Sequence, residues 1–188
     1  MLTGSVEIDF QQAENLDLSE TGDGDYYVLN GSTHTVPGQP IQPLHFGDVT
    51  APQLPARGVL LLGATYHIEQ DFDPVVAEAY NEYDTINPEP SLGNPLGIYP
   101  PVPVSVQQHG GQSSLVTQLG QYDASNGDLY LLENVQLETY YSLDADQLSP
   151  EATVIDGVTP KGSNRVDVKV GAVDASGIER AVVSYIED

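Results

Sequence analysis

The chain reads as all-β, a sandwich of about eight strands with long proline-rich loops and one short helix. Three observations carry this expectation. Apolar residues alternate with polar ones at a period of two over several runs, which is the pattern of strands with one buried face. Fourteen Pro and eighteen Gly punctuate those runs, and turn dipeptides recur between them. A helical period is visible at only one place. Length favours one domain over residues 1–188, since a chain of this size builds one proper core and falls short of two.

The longest strand pattern runs from Asp128 to Leu143. Leu129, Leu131, Val135, Leu137, Tyr141 and Leu143 share one parity, while Asn134, Gln136, Glu138 and Ser142 share the other. Glu133 and Thr139 interrupt the apolar row, so a bulge or break is expected near one of them. Asn126-Gly127 precedes the run and suits a tight hairpin turn. With the run Ser114 to Tyr122 before it, the segment predicts a long antiparallel hairpin.

Taken in order, Val6, Ile8 and Phe10 alternate with Glu7 and Asp9 as an opening strand. Gln11 to Asp25 is polar, with a turn at Gly22-Asp23-Gly24-Asp25, and Tyr26 to Leu29 forms a second strand. Asn30-Gly31-Ser32 is both a turn and an N-glycosylation acceptor pattern, of which the turn is favoured. Five prolines between Val36 and Pro55 predict a long connection. Arg57 to Gln70 follows as a strand with Leu60, Leu62, Ala64, Tyr66 and Ile68 on one parity. Val59 and Leu61 on the other parity place its start in the centre of a sheet.

Asp73 to Tyr83 is the one helix expected, with Asp73 as cap and Pro74 at its first position. Asn87 to Pro103 holds six prolines and forms a second structured loop carrying Ile98, Tyr99 and Val102. Val104 and Val106 open a strand that ends at His109. After the central run, Ala152 to Val158 is a short strand, and Arg165 to Ala172 with Ile178 to Ile186 makes a terminal hairpin. Tight hairpins combined with long crossings fit a sandwich with jelly-roll or other Greek-key connections, with an immunoglobulin-like sandwich as competitor.

Charge sets the environment. Twenty-eight Asp and Glu face five Lys and Arg, a net charge of −23. Such a surface repels itself in dilute solution and is tolerated where concentrated salt screens it, as in halophilic proteins. Direct nucleic-acid binding is disfavoured, because Arg57 is the one Lys or Arg before Lys161. The absence of Cys excludes disulfides and thiolate metal sites. The first ten residues lack the basic and apolar regions of a secretory signal, and no apolar run approaches a membrane span.

The search for chemistry yields little. His34, His45, His67 and His109 lack metal-ligand spacing, and His67 lies opposite the apolar parity of its strand, hence exposed. No Walker loop, dinucleotide fingerprint or nucleophile elbow is present. No catalytic residue, no cofactor and no metal ligand is assigned, although the carboxylate pairs Asp23/Asp25, Asp71/Asp73 and Asp144/Asp146 leave structural cations open.

A short, Cys-free, strongly acidic all-β chain with the opening strand Val6 to Phe10, the central hairpin through Asn126-Gly127 and the terminal hairpin Arg165 to Ile186 resembles the smaller major capsid protein of tailless icosahedral haloarchaeal viruses that enclose an internal membrane. The resemblance implies a single jelly roll and a structural virion role in a high-salt environment, assembled in the cytoplasm of a halophilic host. It further implies that the partners are copies of itself and a second, larger jelly-roll capsid protein, with internal membrane-associated virion proteins as further contacts. A cell-surface or carbohydrate-binding sandwich is the alternative. For subunit contact the residues singled out are Tyr130 and Tyr140, on the nominally wet parity, and Ile98, Tyr99 and Val102 in the second loop.

Overall fold

The computed structural model describes residues 2–10, 15–51, 54–78, 97–143, 151–160 and 166–173. The chain is all-β, and its residues group into two compact units, 1–142 and 143–188. In the first unit the strands are β1 (Leu2–Asp9), β2 (Leu16–Thr21), β3 (Gly24–Leu29), β4 (Thr33–His34), β5 (Gln42–Asp48), β6 (Ala56–Glu69), β7 (Ile98–Tyr99), β8 (Val104–His109), β9 (Gln112–Gln118), β10 (Gly120–Asp123) and β11 (Asp128–Tyr141). The second unit contains β12 (Glu151–Pro160) paired antiparallel with β13 (Val166–Val173). The return strand expected at Ile178 to Ile186 lies outside the described residues.

β11 organises the first unit. One of its edges carries β6 along nearly its whole length, and β10 and β1 share the other edge end to end. With β7 on β10 these make a five-stranded antiparallel sheet. A second sheet has the order β4-β5-β9-β8. Phe10, Val49, Val104, Leu115, Leu119, Leu132, Val135, Leu137 and Tyr141 are buried in one cluster drawn from both sheets, which is a sandwich core.

Leu119 is the seam. Its N–H donates to the Pro43 carbonyl in β5, and its own carbonyl accepts from the Leu132 N–H in β11, so one fully buried residue is bonded to both sheets. The run Ser114 to Tyr122 is therefore two strands in different sheets. Only Gly120–Asp123 pairs with β11, over four residue pairs, and the long hairpin gives way to a short one. Asn126-Gly127 closes a four-residue loop there, with Gly127 at φ 81°.

Several expectations are corrected. Residues 73–78 are not helical: Val75 N–H donates to Asp25 O, Ile41 N–H to Val75 O, and Ala77 N–H to Gln39 O. These backbone groups find partners in neighbouring segments, and tertiary pairing overrides the favourable cap and first-turn residues. The rest of that expected helix lies outside the described residues. The stretch 36–55 is not one uninterrupted loop, because β5 runs through it. Pro43 is tolerated there since its carbonyl, not its missing N–H, makes the cross-strand bond. The polar run before Tyr26 contains β2, whose pairing with β3 forms a hairpin. Among the described residues β6 pairs with β11 alone, which makes it an edge of this sheet rather than a central strand.

Asn30 and Gly31 have φ of 50° and 76°, and Leu29 and Ser32 exchange backbone hydrogen bonds across them. Positive φ at both central residues is the geometry of a tight hairpin turn, in agreement with the turn reading.

Candidate functional site

The site follows from two bulges that the sequence places on facing strands. Going up β11, Leu132 pairs with Tyr66 and Val135 with Ala64, so Glu133 and Asn134 together oppose Thr65. Asn134 donates its backbone N–H and its side-chain amide to Thr65 Oγ1, both at 3.2 Å. The interruption expected near Glu133 is this bulge. A few residues on, Gln136 pairs with Gly63 and Leu137 with Leu61, which leaves Leu62 as an extra residue on β6. The second bulge restores the register that the first displaced.

Each bulge switches which parity points inward. On β11, Leu132, Val135 and Leu137 enter the main core, whereas Leu129 and Leu131 join a separate cluster with Tyr122, packed by Tyr27, Phe72 and Ala124. The apolar parity of the sequence is thus split between two clusters. On β6, Val59, Leu61, Ala64 and Tyr66 pack inward. Leu62 is re-aimed into solvent, at 54% exposure, where simple alternation would place it on the row of Ala64 and Tyr66.

Beyond the bulge, the outward face of the five-stranded sheet is built from cross-strand rows. Glu7 lies opposite Gln136 and Gly63 next to it, Ser5 opposite Glu138 and then Leu60, and Thr3 opposite Tyr140 and then Gly58. Directly opposed residues share a face, so these side chains form one surface with Leu62 beside it. Gln136 Nε2 donates to Glu7 Oε1 at 3.3 Å, and the Tyr140 hydroxyl donates to Glu138 Oε2 at 2.6 Å. The glycines at 58 and 63 keep the β6 side of this face low, and Gly58 has no neighbour within 4 Å of where a Cβ would stand.

The residues singled out for contact divide between two ends of the sheet. Tyr140 belongs to the outward face just described. Tyr130 does not, because it precedes the bulge: its ring stands edge-on to Tyr66 at 6.2 Å, and its hydroxyl accepts from Asn126 Nδ2 at 3.3 Å. Tyr130 pairs with Gln121, whose buried amide donates to Pro100 O at 2.9 Å. That link brings it to the corner formed by Ile98 and Tyr99 of β7, with Val102 nearby in sequence and 65% exposed. Burial raises the Tyr99 and Tyr66 phenols above their usual range. Tyr140 lies ten residues from Tyr130, roughly 33 Å along a strand. Leu62 was missed from the sequence because only the double register shift turns it outward.

A third grouping sits where the β2–β3 hairpin crosses the first half of β11. Glu69 Oε1 accepts from the Tyr27 hydroxyl and faces His67 Nε2, each at 3.0 Å. Tyr27 stacks with Phe72 at 6.1 Å, and burial followed by the Glu69 carboxylate pushes its phenol up to about 12. His67 is exposed, as its parity implies. His45 packs edge-on against Phe10 at 5.2 Å, and burial lowers its pKa. Among the described residues, no group of three or more His, Asp and Glu is placed to hold a metal ion. Asp144 and Asp146 lie outside the described residues.

No protein-family model matches the chain, and no curated protein does. Among solved structures it is similar to a chain in the complex of the pro- and mature domains of RgpB from Porphyromonas gingivalis, with 14% identity and a TM-score of 0.53 over 77% of this chain and 83% of that one. A structure addressing the zymogenic latency of gingipain K from the same organism is 16% identical over 68% of this chain and 80% of that one, with a TM-score of 0.46. The first of these is a likeness of fold.

Proposed function

We propose that this chain is a structural, partner-docking β-sandwich, which acts by burying one sheet face against another protein and not by turning over a substrate. The observation that carries this reading is the outward face beside the paired bulges. Leu60 and the exposed Leu62 on β6 and the Tyr140 ring on β11 stand beside Glu7, Gln136 and Glu138 on one face. Apolar side chains set among polar ones on an open sheet face are the composition of a protein contact surface.

In the form that the sequence resemblance implies, the chain is a virion subunit, sharing a shell with copies of itself and a larger jelly-roll capsid protein. Electron microscopy of the native source at high salt tests this form, with shell-sized particles containing the chain expected. A single monodisperse monomer at every salt concentration would sink it. Melting followed across a salt series tests the environment: carboxylate repulsion predicts loss of stability as screening is removed. Equal melting temperatures at low and high salt would remove the halophilic part of the reading.

The solved neighbour favours a second form. That neighbour is a complex of pro- and mature domains, and a sandwich of this fold here would likewise be held against one folded partner. A one-to-one complex in sedimentation, in place of shells, supports this form.

A further inference from the structure

Resting on the docking reading above, we infer that the outward face of the five-stranded sheet takes a cationic protein surface, one with Lys and Arg side chains beside apolar ones. Nineteen of the twenty-eight Asp and Glu residues lie in residues 1–142, where Arg57 is the one Lys or Arg. Arg57 sits at a third register shift at the end of β6, and its Nε donates to the Ser142 carbonyl at 3.2 Å. Residues 1–142 therefore carry a strong net negative charge, which attracts and orients a cationic partner and repels an acidic one. A second copy of this chain carries −23 and meets that repulsion in full unless salt screens it.

The two carboxylates of the face suit this partner at short range. The Gln136 amide holds Glu7, and the Tyr140 hydroxyl holds Glu138. Each carboxylate is thereby oriented before a partner arrives, which lowers the ordering cost of binding. A carboxylate offers about four lone-pair sites, more than a single donor fills, and ammonium and guanidinium groups are its strongest donors. Leu60, Leu62 and the Tyr140 ring suit the methylene stems of Lys and Arg, and the ring face also suits their charge. Exposed Thr3 and Ser5 with the bare Gly58 and Gly63 leave the surface flat enough for a strand or sheet to lie on it.

The test uses the full chain, ¹⁵N-labelled, and three designed β-hairpin peptides: one with a leucine face edged by lysines, a twin edged by glutamates, and one with lysines but serines in place of the leucines. The leucine–lysine hairpin is expected to shift the amides of Leu60, Leu62, Gln136 and Glu138. Glu7→Lys with Glu138→Lys should weaken it at least about tenfold, and Leu62→Ser should weaken it too. Asp17→Lys with Glu20→Lys, which changes net charge equally on β2, should cost far less. Equal losses from the two double reversals, or equal binding by the leucine-free hairpin, would reduce the effect to a general field and overturn the inference. If the glutamate twin binds as well, the cationic partner is wrong while docking at this face stands. If neither leucine hairpin moves these amides, the docking reading itself fails.

Discussion

The two halves of β11 have the same residue types and opposite fates. From Asp128 to Leu132 both faces are covered: Leu132 faces the main core, while Leu129 and Leu131 lie under Tyr27 and Phe72. From Asn134 to Tyr141 one face enters the core through Val135, Leu137 and Tyr141, and the other carries Gln136, Glu138 and Tyr140. A single inserted residue makes the difference. It swaps the parities, and the β2–β3 hairpin covers the apolar row that the swap leaves outside. The covered half has become interior, and the uncovered half has become surface available for contact.

A register slip outside the bulge should break this arrangement most severely. Deleting Asn134 itself keeps Leu132 opposite Tyr66 and Val135 opposite Ala64 and should be tolerated. Deleting Gln136 instead slips the strand beyond it by one residue, so either Val135 or Leu137 and Tyr141 must face the wrong way. Loss of the cooperative unfolding transition is expected. A Gln136 deletion that melts like the parent would mean that the strand tolerates exchange of faces.

Single truncations rank the two clusters. Leu137→Ala, at a site 1% exposed and enclosed between sheets, should cost about 3–5 kcal/mol, and Leu131→Ala under the smaller hairpin-covered cluster about 2–3 kcal/mol. The hairpin can settle onto a shortened side chain, whereas two sheets bonded through Leu119 cannot easily close. Denaturant unfolding at fixed high salt measures both, and an inverted order would refute the assignment of the main core.

The cover itself can be loosened. Gly24 has φ 118°, and a Cβ there would stand 2.7 Å from the Asp73 carbonyl oxygen. Asp25 N–H donates to that same carbonyl, and Val75 N–H donates to Asp25 O. Gly24→Ala should therefore destabilise by roughly 1–3 kcal/mol and expose the first half of β11 ahead of the second. Amide exchange should quicken at Leu129 and Leu131 while Leu137 keeps its protection. Uniform loss along the strand would show that the halves do not open separately.

Much of the sheet was legible in the sequence, and the reasons for the rest are physical. Strand alternation revealed β1, β6, β8 and β11, and Glu133 gave away the bulge because a charged residue broke an apolar row. Which leucines face each other was hidden, since Leu62 and Leu60 look identical to Leu61 and Val59 until pairing fixes the offset. β2 was invisible because Leu16 and Leu18 are its only large apolar residues. The expected helix failed where Val75 and Ala77 found backbone partners far away in sequence. Tyr140 was correctly placed on the wet face, and Tyr130 was not, because the bulge lies between them.

The smallest effect probes how the cover is fastened. The Tyr27 phenol is held up at about 12, first by burial, then by its hydrogen bond to Glu69 and by the charges of Glu69 and Asp25. The unfolded chain loses this proton near 10, so between pH 10 and 12 the folded state holds a proton that the unfolded state has released. Stability from this group is complete below pH 10 and declines as pH rises toward 12. Tyr27 is half-buried, and solvent screening reduces the effect to about 1 kcal/mol or less. Tyr27→Phe should flatten that alkaline decline, leaving the part due to Tyr66, Tyr99 and Tyr122, whose phenols are also raised by burial. Unfolding free energy measured across this range, with phenolate absorbance on the same samples, decides it. Parallel curves for parent and variant would mean that Tyr27 does not fasten the hairpin through its hydroxyl, and that stacking on Phe72 alone holds the covered half of β11 closed.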